Sequence, residues 1–140
     1  MNRVVVVEDE TMARKGIILT IDWSALGWVV VGEAANGEEG AALVERLSPD
    51  IVVTDVKMPR MDGVEMIAKR RENGCQAKFI ILTAYSDFKY AQSALRLGVS
   101  DYLLKPLKDG ELELVVRRIQ GQEEALESKA AKEQDMREVL

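Results

Sequence analysis

The chain has 140 residues, 47% hydrophobic and 31% charged, with a net charge of −5, which fits one globular domain with a real core and excludes two of typical size. The acidic balance argues against this segment gripping nucleic acid by itself, because duplex binding rests on Lys and Arg neutralising phosphates. The absence of histidine excludes His metal sites, Ser/His/Asp triads and a phosphohistidine intermediate on this chain.

The first element is a strand over residues 3–7, where the apolar run Val4 to Val7 ends on the acids Glu8 and Asp9. Those acids cut the run after four positions, unlike a signal peptide, and no stretch reaches the ~18 apolar residues that span a bilayer. A cytoplasmic location without a membrane partner is expected. A helix over 11–21 and a strand over 28–34 follow, and Asn36-Gly37 turns the chain into a helix over 37–47. Ser48-Pro49 ends that helix, and the next strand, 50–55, ends on Asp55. Asp62-Gly63 opens a helix over 63–73 that stops at Asn73-Gly74. Cys75, the sole cysteine, follows this helix end, so no internal disulfide forms and a surface or half-buried thiol is expected. The strand 78–83 ends on Thr83, Ser86-Asp87 caps a helix over 87–97, Gly98 turns, and the strand 101–104 runs into Lys105-Pro106. A last helix starts near 109.

Short apolar runs alternating with segments of helical periodicity are the pattern of a parallel α/β sheet. The runs at 4–7 and 51–53 are almost purely apolar, as central strands covered on both faces should be. From Gly121 to Leu140 the composition shifts to Glu, Lys, Ala and Gln. Ile119, Leu126 and Leu140 share a heptad register that Glu133 breaks, so a solvated helical extension is favoured over a coiled coil. The expected division is a domain over 1–121 and a helical linker or tail over 122–140.

Four strands thus end on polar residues suited to phosphate and metal chemistry, and in an open parallel sheet their carboxyl ends share the ligand-binding edge. Asp55, with its backbone fixed by a buried strand, is a candidate nucleophile toward a phosphoryl group; its bland alternative is a loop-capping carboxylate. Glu8 and Asp9 add two carboxylates. Three converging acids repel one another, so a divalent cation is the natural neutraliser, and oxygen ligands favour Mg²⁺ or Mn²⁺ over zinc. Lys105 supplies a mobile point charge for a phosphoryl oxygen, and Pro106 can turn the chain sharply, in some cases through a cis bond. Thr83 adds a hydroxyl, and small Ala84 leaves a backbone N–H accessible to an anion. Alone, each is modest: an acidic loop can be merely solvated, and a β-branched residue commonly ends a strand.

Together, Glu8-Asp9, Asp55 with Met58-Pro59 and Asp62-Gly63, Thr83-Ala84, and the run Gly98-Val99-Ser100-Asp101-Tyr102-Leu103-Leu104-Lys105-Pro106 resemble the receiver domain of bacterial two-component response regulators over residues 3 to about 121. The resemblance implies a flavodoxin-like, doubly wound five-stranded parallel sheet of order 2-1-3-4-5 with helices on both faces. It implies that Asp55 takes a phosphoryl group from a sensor histidine kinase. Mg²⁺ would be held by Asp9, Asp55 and the Lys57 backbone carbonyl, with Glu8 acting mostly through metal-bound water. Lys105, Thr83 and backbone N–H groups around Val56, Lys57 and Ala84 would bind the phosphoryl oxygens. Thr83 and Tyr102 would form the switch, the Tyr102 ring moving into space that Thr83 vacates; the bland alternative is a partly exposed edge-strand tyrosine. By the same resemblance, Lys57 and Tyr85 would flank the path of attacking water and set phosphoryl lifetime, which therefore does not follow from the family. Such a domain is a signalling module that assists its own phosphorylation and dephosphorylation, and is not an enzyme in the ordinary sense.

Finer similarity lies in Ile21-Asp22-Trp23, Gly27-Trp28 and Tyr85-Ser86-Asp87-Phe88-Lys89-Tyr90-Ala91, which resemble receivers joined to a C-terminal AraC-type helix-turn-helix domain. Core and helix-end packing accounts for both Trp residues equally well. DNA contact is then expected only through a C-terminal domain outside this sequence, and homodimerisation on phosphorylation is a family-level expectation. The alternative is a free-standing receiver acting as a phosphorylation-controlled protein-interaction module. An Mg²⁺-dependent phosphatase would usually space its first two acids two apart, and Glu8 and Asp9 are adjacent. Flavin binding would need Gly, Ser and Thr donors where Glu8 to Thr11 is acidic.

Overall fold

The computed structural model of the chain describes residues 2–121. Five strands form one sheet: β1 (Asn2–Val7), β2 (Trp28–Ala34), β3 (Ile51–Asp55), β4 (Lys78–Thr83) and β5 (Asp101–Leu104). Their order is β2-β1-β3-β4-β5, and every neighbouring pair is parallel. The connecting helices are α1 (Thr11–Thr20), α2 (Gly37–Leu47), α3 (Gly63–Glu72) and α4 (Phe88–Gln92). Residues up to Leu107 form one compact unit. A second unit starts at Lys108 and contains helix α5 over residues 111–121. The tail expected at 122–140 lies outside the described residues.

The apolar runs became strands because β1, β3 and β4 bury both of their faces. Val4 to Val7, Ile51 to Val53 and Phe79 to Leu82 are all at most 1% exposed. Alternation splits them: Val5, Val7, Val52, Phe79 and Ile81 share a core with Ala41 and Val44 of α2, Met66 and Ile67 of α3, and Ala91 of α4. In α5, the buried Leu112, Val115, Val116 and Ile119 recur at spacings of three and four, the signature of a single apolar face.

Two caps set where helices begin. The Asn36 side chain accepts from Glu39 N–H at 2.8 Å while Glu39 reaches back to Ala35 N–H at 3.1 Å, and Asp62 accepts from Glu65 N–H at 2.8 Å. Strand limits fall within a residue of those read from the sequence. The segment expected as one helix over 87–97 differs. It starts as a 3₁₀ turn (Tyr85–Asp87), passes through α4 and finishes as a second 3₁₀ turn (Ser93–Leu97) before Gly98 at φ 74°. Asp87 stands at the start of α4 without capping it, because its carboxylate faces the Lys57 ammonium at 3.2 Å. Both Trp residues are core, Trp23 at 5% and Trp28 at 1% exposure, and Cys75 is half-buried.

Candidate functional site

Strand geometry delivers the acids to one edge. In the sheet β1 lies beside β3, Val7 opposite Thr54, so Glu8 and Asp55 each stand one residue beyond that last pair. Glu8 N–H still donates to Ala34 O at 2.9 Å, which carries the backbone order of β1 one residue past the strand. Oxygens of Glu8, Asp9 and Asp55 all lie within 4.8 Å of one another. Lys105, after β5, reaches across: its Nζ donates to Glu8 Oε1 at 2.6 Å and to Asp55 Oδ2 at 2.8 Å. The Lys105-Pro106 peptide is cis.

Asp55 is held from several sides. Val56 N–H donates to Asp55 Oδ1 at 2.8 Å and Thr54 Oγ1 donates to Asp55 O at 2.9 Å. Gly63 N–H closes the following loop on Val56 O at 2.7 Å, and a Cβ on Gly63 would stand 2.2 Å from Asp55 O. Backbone therefore packs on backbone where any side chain would push the acid out of place.

Three carboxylates and one ammonium give the site a surplus of negative charge. Burial, then the neighbouring Asp55 carboxyl, push the Glu8 carboxyl up to about 7 against the opposing pull of Lys105. Burial would lower the Lys105 ammonium, but hydrogen bonds and charge from Asp55 and Glu8 outweigh it and hold its pKa above the ordinary value. Glu8 is fully buried, and its Oε2 has no hydrogen-bond partner. An orphaned buried carboxylate oxygen is costly, and a cation among these all-oxygen donors would satisfy it. The donor set suits a hard ion of the Mg²⁺ type.

Beside the acids, Asp9, Lys57, Met58, Pro59 and Asp62 line a cleft of about 400 Å³. Asp9 is exposed while Asp55 is buried, so the acids grade from solvent into the sheet edge. Of the residues singled out by sequence, Glu8, Asp9, Asp55 and Lys105 come together, and Lys57 joins Asp9 in the cleft. Thr83 is fully buried at the end of β4, its hydroxyl donating to Ala84 O at 3.1 Å. Ala84 is half-buried at the head of the 3₁₀ turn. Val56 N–H, expected to face a phosphoryl oxygen, is shared here between Asp55 Oδ1 and Leu82 O at 3.2 Å. Tyr102 is 38% exposed and lies edge-on to Phe88, ring centroids 5.2 Å apart.

Sequence reasoning missed three contributors. Thr54 and Gly63 support the Asp55 backbone, and the pair Asp62-Gly63 carried a usable signal for the second. Tyr90 donates its hydroxyl to Asp62 Oδ2 at 2.6 Å, a contact across twenty-eight residues that no local pattern announces.

Comparison with known proteins agrees with this geometry. The family model for the response regulator receiver domain matches residues 4–117. An uncharacterized transcriptional regulatory protein of Bacillus subtilis, YesN, is 38% identical over 112 residues, covering 80% of this chain and 30% of YesN. The transcriptional regulatory protein HptR of Staphylococcus aureus is 34% identical over 119 residues, covering 85% of this chain and 46% of HptR. The chain thus spans less than half the length of these two curated relatives. Among solved structures, the REC domain of AraT, a response regulator from Geobacillus stearothermophilus, aligns with a TM-score of 0.83 at 38% identity, covering 89% of this chain and 97% of that one. A two component transcriptional regulator AraC from Clostridium phytofermentans aligns at 0.77 and 30% identity, covering 86% and 94%. Fold, acidic edge and sequence converge: this chain belongs to the response regulator receiver domain family, a signalling module of two-component systems.

Proposed function

We propose that Asp55 is a phosphoacceptor that takes a phosphoryl group from the phosphohistidine of a sensor kinase and thereby switches a transcriptional output. The observation that carries this reading is the Asp55 carboxylate, fixed at a strand end, buried, and shared between Lys105 and the acidic pair Glu8-Asp9. In the transfer, one Asp55 oxygen forms the new P–O bond as the P–N bond to the kinase imidazole breaks. The imidazole departs with the bonding electrons and takes up a proton. Asp9, Asp55, the Lys57 carbonyl and Glu8 would hold Mg²⁺, which supplies neutralisation of phosphoryl charge when bound. Lys105 pairs with a phosphoryl oxygen once it leaves Glu8, and backbone N–H groups around Val56, Lys57 and Ala84 donate to the others. Rate comes mainly from in-line placement and charge compensation.

Thr83 and Tyr102 form the proposed switch: phosphorylation draws the Thr83 hydroxyl from Ala84 O toward the site, and the Tyr102 ring leaves its exposed seat on Phe88. A partner that binds this second arrangement better captures the output. The longer relatives YesN and HptR are named as transcriptional regulatory proteins, so a DNA-binding domain beyond this segment is the proposed effector, with residues 122–140 as the connection and homodimerisation accompanying activation. The test is intact-protein mass after incubation with acetyl phosphate, with and without Mg²⁺, beside Asp55→Asn. One phosphoryl group gained only with Mg²⁺ and only with Asp55 is the expected result; a gain in Asp55→Asn equal to that of the unaltered chain overturns the assignment.

A further inference from the structure

The loop between β3 and α3 is fastened on both flanks. On one side Gly37 N–H of α2 donates to Met61 O at 3.0 Å, and a Cβ on Gly37 would stand only 2.1 Å from that oxygen, so α2 abuts the loop backbone directly. On the other side the contacts are made by side chains of the segment that contains α4. The Tyr90 hydroxyl donates to Asp62 Oδ2 at 2.6 Å, and the Lys57 ammonium lies 3.2 Å from the Asp87 carboxylate. Asp62 is used twice. Its Oδ1 caps α3 by accepting Glu65 N–H, which orients the carboxylate and leaves Oδ2 aimed at the phenol. Partial desolvation, followed by the bond to Asp62, pushes the Tyr90 phenol up to about 12 although the residue is 44% exposed; the phenol is protonated at neutral pH with or without that shift.

Asp62 and Lys57 also line the cleft with Asp9. The loop whose Lys57 carbonyl is assigned to the cation therefore has its position set partly by a tyrosine on α4. We propose that Tyr90 is a positioning residue for the carboxylate site, holding the 57–62 loop against α4 so that cation binding in the cleft and the placement of α4 are energetically linked. The proposal rests on the cation-binding part of the reading above. Its contacts differ from those of the Thr83 and Tyr102 switch, since Thr83 bonds Ala84 and Tyr102 rests on Phe88, but the two meet at α4, to which Phe88 and Tyr90 both belong. Linkage is reciprocal: the factor by which bound cation favours this placement of α4 is the factor by which α4 in this placement tightens the cation.

The test uses the full 140-residue chain as Tyr90→Phe, which keeps the ring and deletes only the donor. Gln92→Ala is the control, since Gln92 lies on the same helix and is exposed. Two readouts are followed by NMR: hydrogen exchange of the Met61 and Gly63 amides, both bonded within the loop, and titration with Mg²⁺ alone. In Tyr90→Phe, loop exchange should accelerate and half-saturation should move to higher Mg²⁺, each by roughly three- to ten-fold, the scale of one hydrogen bond. Amides of β1 and β4 should stay as they were, and Gln92→Ala should match the unaltered chain. Unchanged loop exchange overturns the proposal, as does acceleration spread equally over β1 and β4, which would mark a purely structural role. A loosened loop with unchanged Mg²⁺ half-saturation also overturns it. If the unaltered chain shows no Mg²⁺ response, the cation reading itself has failed and takes this proposal with it; Asp55 labelling by mass tests the phosphoacceptor separately.

Discussion

Glu8 and Lys105 stand ninety-seven residues apart in sequence and meet at 2.6 Å, the ammonium bridging onward to Asp55 at 2.8 Å. One cation thus serves two buried carboxylates. Removing it as Lys105→Met leaves both acids facing each other without compensation, and breaking a buried pair from one side typically costs about 3–5 kcal/mol. The expected result is a lower urea midpoint without divalent cation, largely restored by millimolar Mg²⁺, together with slow or absent labelling of Asp55 by acetyl phosphate. An unshifted midpoint in metal-free buffer would mean that the bridge carries no stability.

The Glu8 carboxyl gives the domain a pH signature. Its folded pKa is about 7 against an ordinary 4.5, so between those values the native state holds a proton that the unfolded chain releases. Stability therefore falls as pH rises from 4.5 to 7 and levels off above. The total loss is on the order of 3 kcal/mol, since each tenfold change in proton affinity is worth ~1.4 kcal/mol. Glu8→Gln should remove most of this slope and should be more stable than the unaltered chain at pH 8. Urea titrations at pH 5 and pH 8 in chelator check it. A cation that prefers the ionised carboxylate should flatten the slope in the same way.

Gly63→Ala is the sharpest single test of backbone packing at the site. The added methyl would stand 2.2 Å from Asp55 O, a separation that forces either α3 or the end of β3 to move. A loss of roughly 2 kcal/mol or more is expected, in the range of overpacking and broken close contacts. Labelling of Asp55 should fall with it. Gly121→Ala, where no atom lies within 4 Å, should leave labelling as it is and, because the residue is helical, should raise stability by up to about 1 kcal/mol.

These sites differ in how much of them the sequence disclosed, and the difference has physical causes. The five strands were legible because each is a short apolar run stopped by a turn or a polar residue, and burial on both faces of β1, β3 and β4 demands that pattern. The convergence of Glu8, Asp55 and Lys105 followed from strand ends sharing an edge. Complete burial of Glu8 did not, because a carboxylate next to exposed Asp9 reads as solvated until the chain is folded around it. The break of the 87–97 segment was equally hidden: Phe88 and Ala91 recur at helical spacing whether or not the turns around them are 3₁₀. Asp87 looked like a cap and instead pairs with Lys57, a contact between elements that no local propensity encodes.

Arg60 sits at φ 70°, the left-handed region, in the middle of the loop that follows Asp55. For a residue with a Cβ this conformation costs about 1–2 kcal/mol, and glycine adopts it freely. Arg60→Gly also loosens the unfolded chain, at a cost of about 0.4–1 kcal/mol, so relief of strain wins by a narrow margin. The side chain itself offers little to offset this, since its ion pair with Glu38 is 3.6 Å long and both partners are well exposed. The expected outcome is a gain of roughly 0.5 kcal/mol for Arg60→Gly. Arg60→Val, whose branched Cβ tolerates positive φ worst, should lose more than about 1 kcal/mol. Urea midpoints of the two variants measured side by side decide the matter: if valine and glycine prove equally stable, the loop relaxes away from positive φ and stores no strain beside Asp55.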